Sequence, residues 1–369
     1  MAAKRQNWID AVAWTAIVAA IVFVTTRPLE AQTADRVIVV TLDGFRWQEV
    51  FGGAERPLIN ATDGGVADTA GTLARFWHRD QEERRRLLMP FLWGTVARDG
   101  LLLGDSSTGS VVRVRNSMRF SYPGYNELFT GAPDPRIDSN RKIPNPNVTV
   151  LEWLSLRPGF AGSIEVFGSW DVFPYIFNAP RSKLPVNGDG LPFPAAATEV
   201  ERALNEMTEW LPIHWASTRL DAPTMAGALT ALRTRHPRVL AVLLGETDEW
   251  AHDRRYDLYL DAAYRADRFI GQLWSAAQAM PEYRGRTSLI VSVDHGRGST
   301  ARDWTDHGED VPPADRIWMA VMGPGIGPDR SLGLQNGTQS QFAATLARLV
   351  GEDWQSARPG AASPIKLRP

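Results

Sequence analysis

Four runs along the chain are apolar without alternation: "RVIVVTLD" (Arg36 to Asp43), "RVLAVLLGETD" (Arg238 to Asp248), "TSLIVSVD" (Thr287 to Asp294) and "RIWMAVMGPG" (Arg316 to Gly325). Continuous hydrophobicity of this length fits strands covered on both faces, as in a parallel sheet between helices. Between and after them, apolar residues recur at helical spacing over 196–210, 222–235, 256–280 and 338–350. This alternation of strand and helix predicts an α/β fold, a mostly parallel central sheet with helices on both faces. The stretch from about 104 to 190 is rich in Pro, Gly, Asn and Ser, which predicts loops and short elements at one edge of the sheet.

The N-terminus has a different pattern. Lys4 and Arg5 precede a largely apolar run, residues 11–24, and small residues follow in "LEAQTA". That shape predicts a signal peptide over residues 1–31. The run is short against the roughly 20 residues of a bilayer span, and the alternative is an uncleaved membrane tether through residues 11–24. Residues 32–369 then form a single catalytic domain carrying the insertion at about 104–190, and the expected location is periplasmic or secreted. The absence of cysteine excludes thiolate zinc sites and cysteine nucleophiles, and agrees with export without disulfides. A formal net charge of -2 with no basic stripe gives no nucleic-acid-binding surface. Oligomeric state is not legible.

Three of the four runs end in or lead to an acid, Asp43, Asp248 and Asp294, and loops at the carboxyl ends of parallel strands are where ligands bind. Three of the six histidines accompany those acids: His252 in "DEWAH", His295 in "VDHG" and His307 in "TDHGED". Taken singly, each residue has a bland reading as a cap or turn residue. Together they are a mixed O/N ligand set suited to zinc or a similar divalent metal, too many for one tetrahedral site and sufficient for two. His78, His214 and His236 lack such company and read as structural or surface residues. A further candidate is "SYPGYNELFTG", in which Ser121 reads as a helix cap, Pro123 lies in the first turn and Gly131 is the stop.

In this order, "VIVVTLDGFR", "SYPGYNELFTG", "DEWAH", "SVDHG" and "DHGED" resemble the alkaline phosphatase superfamily, most closely its phosphodiesterase and nucleotide pyrophosphatase branch. The resemblance runs from about residue 37 to residue 350. It implies an alkaline phosphatase-like sandwich and two divalent metal ions, zinc first among them. It places Asp248, His252 and His307 around one metal and Asp43, Asp294 and His295 around the other, with Ser121 as nucleophile bridging toward the second. The implied function is an exported phosphoric ester hydrolase that forms a phosphoserine on a small-molecule phosphoester, monoester or diester. A dication and the positive end of a helix both favour a serine alkoxide.

The chain also departs from the pattern. Gly124 and Tyr125 stand where the branch often carries Asn-His, and Lys142 stands where a phosphate-contacting Asn is usual. Lys142, Asn145 and Asn147, with Asn140 and Arg141 nearby, are the substrate-binding candidates. The aromatic stretch "FGSWDVFPYIF" (Phe167 to Phe177) offers walls for a second subsite. The alternatives are a sulfatase-like hydrolase, whose C/SxPxR signature fails at Tyr125, a cofactor-independent phosphoglycerate mutase, disfavoured by export, and a catalytically inactive metal-binding homologue.

Overall fold

The computed structural model describes residues 34–194, 198–328 and 335–367. The signal peptide or tether expected over residues 1–31 lies outside them. No helix among the described residues is long and apolar enough to cross a membrane.

The central sheet has seven strands: β1 (Arg36–Leu42), β2 (Leu101–Leu103), β3 (Ile164–Gly168), β4 (Val186–Asn187), β5 (Val239–Leu244), β6 (Thr287–Ser292) and β7 (Met319–Met322). Their spatial order is β2-β7-β6-β1-β5-β3-β4. All neighbours from β6 to β4 pair in parallel, and β7 runs antiparallel to both β6 and β2. Every residue of β5 and β6, and all of β1 after Arg36, is buried. The uninterrupted apolar runs are thereby explained, because neither face of these strands meets water. The fold is the α/β architecture expected from the pattern, a mostly parallel sheet with helices packed on it.

The helices include α1 (Ser121–Thr130), α2 (Glu199–Trp210), α3 (Asp221–Thr234), α4 (Glu246–His252), α5 (Tyr256–Ala279) and α6 (Gln341–Leu349). Helices α3 and α5 pack on each other and on the central strands, while α1 packs on α6, which lies against β1. The fourth apolar run is not one strand. It divides at Trp318, where Ser292 Oγ donates to the Trp318 carbonyl at 2.9 Å and the indole donates to Phe45 O at 3.0 Å. Arg316–Ile317 before the break joins a small second sheet with Val112–Arg113 and Gly337–Thr338. The stretch 104–190, expected as loops and short elements, supplies β3 and β4 to the main sheet.

Buried Asp267 on α5 accepts the Phe91 and Leu92 amides at 2.7 and 2.8 Å, capping from outside the helical segment that starts there. Burial outweighs these bonds and raises its pKa from 3.8 to about 7. Between pH 4 and 7 the folded chain therefore holds a proton that the unfolded chain has released, so this group makes stability fall as pH rises, with a limiting slope of about 1.4 kcal/mol per unit. Asp267→Asn keeps an acceptor and cannot ionise. Urea unfolding at several pH values should show the variant gaining on wild type across that window.

Candidate active site

Because β1, β5, β6 and β3 run parallel, their carboxyl ends open on one edge of the sheet. Asp43 follows β1 directly, Asp294 lies two residues past β6, and α4 begins two residues after β5. Asp248 is inside α4 rather than capping it, and His252 is the last residue of that helix. The helix is anchored by buried Asp221, whose carboxylate accepts the Gly245 amide at 2.8 Å and the Glu246 amide at 3.2 Å.

Ser121 corrects the sequence reading in one respect. The N-cap of α1 is Phe120, in extended backbone, and Ser121 is the first helical residue, with no capping bond from its side chain. Its hydroxyl is thus left for the cleft, 3.5 Å from Asp43 Oδ1 and 3.4 Å from His295 Nε2. The Gly131 stop holds, with a left-handed φ of 81°. Gly124 has a steric reason: a Cβ there would lie 2.3 Å from the Asp294 carbonyl oxygen, so only glycine lets α1 approach the β6 loop this closely. Tyr125 uses the other departure, its hydroxyl donating to Asp43 Oδ2 at 3.3 Å. Burial and then Asp43 push that phenol well above its ordinary value, so it remains a donor.

The acids and histidines converge. His295 is fully buried and its Nδ1 lies 2.9 Å from Gly296 O; an Nδ1–H donated there leaves Nε2 as the atom facing the site. From Nε2 it is 3.4 Å to Asp43 Oδ1, 3.5 Å to Asp294 Oδ2 and 3.7 Å to Asp248 Oδ1. One carboxylate oxygen of Asp294 accepts from the Gly44 amide at 3.0 Å, and the other has no hydrogen-bond partner among the described residues. Burial and then Asp43 raise the Asp294 pKa far above the carboxylate range. For His295, burial depresses the pKa, but Asp294 and Asp43 outweigh it and bring it up to about 9. Both shifts express one condition, a buried cluster of acids short of positive charge.

Among the described residues, two groups of three have ligand atoms within 4.8 Å of one another: Asp43, Asp294 and His295, and Asp248, His295 and His307. The first is the set implied for one metal. The second has His295 where His252 was implied, yet His252 Nε2 lies 3.1 Å from Asp248 Oδ2 and 3.0 Å from His307 Nε2. The pKa of His307 is lowered by burial and then by His295, and the His252 pKa shifts the same way for the same causes. These neutral imidazoles, the unpartnered Asp294 oxygen and the three carboxylates suit a divalent cation.

A cleft of about 340 Å³ opens beside these residues, and Asp43, Ser121, Asp248, Glu249 and His252 line it. Asn140, Lys142, Trp170, Asp171 and Thr218 line it as well. Lys142 lines this cleft paired with Asp171 at 2.6 Å. Asn145 and Asn147 do not reach the cleft. Both donate to Asn126 Oδ1 at 3.1 Å, inside α1, and Asn147 also donates to Asp134 at 2.7 Å. Asn140 stands at the cleft, its Oδ1 accepting the Tyr122 amide at 3.0 Å. Of the aromatic stretch, Phe167, Phe173 and Phe177 are core, and Trp170 faces the cleft.

Arg297, two residues beyond His295, escaped the sequence reading. Fully buried, it donates to Gly44 O at 3.1 Å, to Asp248 O at 3.1 Å and to the Thr305 carbonyl, and its guanidinium touches Asp248 Oδ1. It holds Asp248 from behind. Gly44 is confined by this contact: its φ is +56° and a Cβ would fall 2.9 Å from Arg297 Nε.

Comparison with known proteins supports the same assignment. The sequence matches the family described as type I phosphodiesterase / nucleotide pyrophosphatase over residues 71–352. No curated protein matches it. Among solved structures, a mutant of the alkaline phosphatase PafA superposes with a TM-score of 0.57 at 11% identity, covering 92% of this chain and 99% of that one. An alkaline phosphatase superfamily protein from Vibrio parahaemolyticus gives 0.51 at 12% identity, covering 88% and 68%. BT1596, a 2-O GAG sulfatase, gives 0.51 at 11% identity, covering 90% and 73%. At such identities the superpositions show the fold, while the family match spans most of the sequence. The chain is a hydrolase of the alkaline phosphatase superfamily and belongs to the type I phosphodiesterase / nucleotide pyrophosphatase family.

Proposed function

We propose that the protein hydrolyses phosphoric esters of small molecules through a phosphoserine on Ser121, with two divalent cations, zinc in the first instance. The observation that carries this reading is the position of the Ser121 hydroxyl, uncommitted to its helix and within 3.5 Å of Asp43 and 3.4 Å of His295. Asp43, Asp294 and His295 would hold one cation, and Asp248, His252 and His307 the other. Bound there, the cations would favour the serine alkoxide and neutralise charge on the transferring group.

The residues do the rest. Ser121 loses its proton to solvent and attacks phosphorus from the N-terminal end of α1, where the helix dipole favours negative charge. The bond from phosphorus to the leaving oxygen breaks as the bond to Ser121 Oγ forms, and the leaving oxygen takes a proton from water to depart as an alcohol or phenol. Water then cleaves the phosphoserine and restores the hydroxyl. Lys142 and Asn140, which also line the cleft, meet nonbridging oxygens. Tyr125 and Arg297 keep Asp43 and Asp248 oriented.

We also place this activity outside the cytoplasm, with residues 1–31 as leader or residues 11–24 as tether. The direct test of the chemistry is turnover of p-nitrophenyl phosphate and bis-p-nitrophenyl phosphate, each with and without chelator. Turnover that the chelator stops is expected; turnover unaffected by prolonged chelation would remove the cations from the reading.

A further inference from the structure

A second cavity, of about 370 Å³, adjoins the cleft and has no part in the chemistry above. Its apolar lining includes Leu191, Pro192, Leu211, Pro212, Leu220 and Pro223. The partition between the two spaces is thin. Residues 217–219 are hydrogen-bonded to residues 169–171, Asp171 N to Ser217 O and Arg219 N to Ser169 O, both at 2.9 Å. Thr218, in the middle, lines the cleft and the cavity alike. The rim is tied to the ligand-bearing helix: the Trp215 indole donates to Asp253 at 2.9 Å and packs on Trp250, and Asp253 follows His252.

The polar groups of this cavity say what it would take. Arg219 spends its donors on protein, giving bonds to Gly168 O at 2.9 Å, Asn187 Oδ1 at 2.6 Å and Thr224 Oγ1 at 2.8 Å, and it lies over the Phe193 ring. His214, the other basic residue of the lining, is paired with Asp253 at 3.4 Å, so neither is free to meet an anionic ligand. Asp189 and Glu209 also line the space and would repel a second phosphate or a carboxylate. Apolar walls with the charged donors already engaged suit a neutral hydrocarbon group.

Resting on the ester-hydrolase reading, we propose that this cavity receives a neutral apolar arm of the substrate, alkyl or aromatic, reaching over Thr218 from a phosphoryl group held in the cleft. The preferred substrates are then phosphodiesters with one apolar arm rather than phosphates carrying further anionic groups. Titration calorimetry of the metal-replete protein with methylphosphonate and hexylphosphonate reads this without turnover. Hexylphosphonate should bind about tenfold more tightly or better, because its chain leaves water for the cavity.

Thr208 lines the cavity from α2, and its hydroxyl bonds only within that helix, to Asn205 O. Thr208→Trp should fill the space and bring the ratio of the two dissociation constants below about threefold, with methylphosphonate binding unchanged. Leu211→Asp, at the exposed end of α2, should do the same by placing a charge in the wall. Equal binding of both phosphonates by wild type, or a preference that survives both substitutions, would overturn the proposal. Aryl ester turnover, measured beside it, separates the two readings. Turnover without a hexyl preference defeats the subsite alone, and a hexyl preference in a protein that turns over no ester defeats its assignment to substrate.

Discussion

Replacing Ser121 with alanine should lower turnover of an aryl phosphate by roughly 10³-fold or more, while metal content and melting temperature stay close to wild type. The size follows from the role: a nucleophile has no substitute when the intermediate is formed on it. The retained metal follows from the ligand sets, since Asp43, Asp294 and His295 all remain. Retained stability follows from the local geometry. The hydroxyl caps nothing, and its neighbours lie at 3.4 and 3.5 Å, too far for strong bonds. Metal analysis, thermal melting and steady-state kinetics on one preparation check all three together. Loss of metal alongside activity would make Ser121 a structural ligand first.

The second large effect is expected at Asp294, where one substitution should act in opposite directions in the two forms of the protein. With cations present, Asp294→Asn removes a charged ligand and should reduce activity by about 10²-fold or more. It should also remove most of the rise in melting temperature that metal gives the wild type, since a ligand that binds only the folded chain stabilises it by mass action. After chelation the sign changes. The wild-type carboxyl is then fully buried beside Asp43, with one oxygen unpartnered among the described residues. An amide there carries no charge, so the chelated variant should melt no lower than chelated wild type. If the variant is less stable in both forms by the same amount, Asp294 is an ordinary hydrogen-bonding residue of the loop.

The parts of the fold legible in the sequence were those whose physics is local. The runs ending at Leu42, Leu244 and Ser292 show their burial directly because both faces are covered. Strand β3 hid because Glu165 interrupts a five-residue stretch; its carboxylate is accommodated by Arg235 at 2.7 Å, a partner 70 residues away. The break at Trp318 depends likewise on contacts with Phe45 and Ser292.

The same division holds in the site. Acids at strand ends and histidines a few residues on are visible as spacing. Which of several asparagines faces the cleft is decided by the path of a loop, and Asn140 has that position while Asn145 and Asn147 brace α1. Arg297 carried a signal, a charged residue in "DHGRGS" next to a buried strand end, but its full burial against Asp248 needs the tertiary structure. The partition at Thr218 between the cleft and the second cavity is built from two separate segments, residues 169–171 and 217–219, and leaves no trace in either one alone.

The central claim is that ester cleavage proceeds in two displacements with Ser121 in between. The most direct measurement is the stereochemical course at phosphorus, using an isotopically chiral aryl phosphorothioate and transfer to an alcohol or water. Two successive in-line displacements, each inverting, predict overall retention of configuration. Overall inversion would mean a single direct attack and would contradict the phosphoserine.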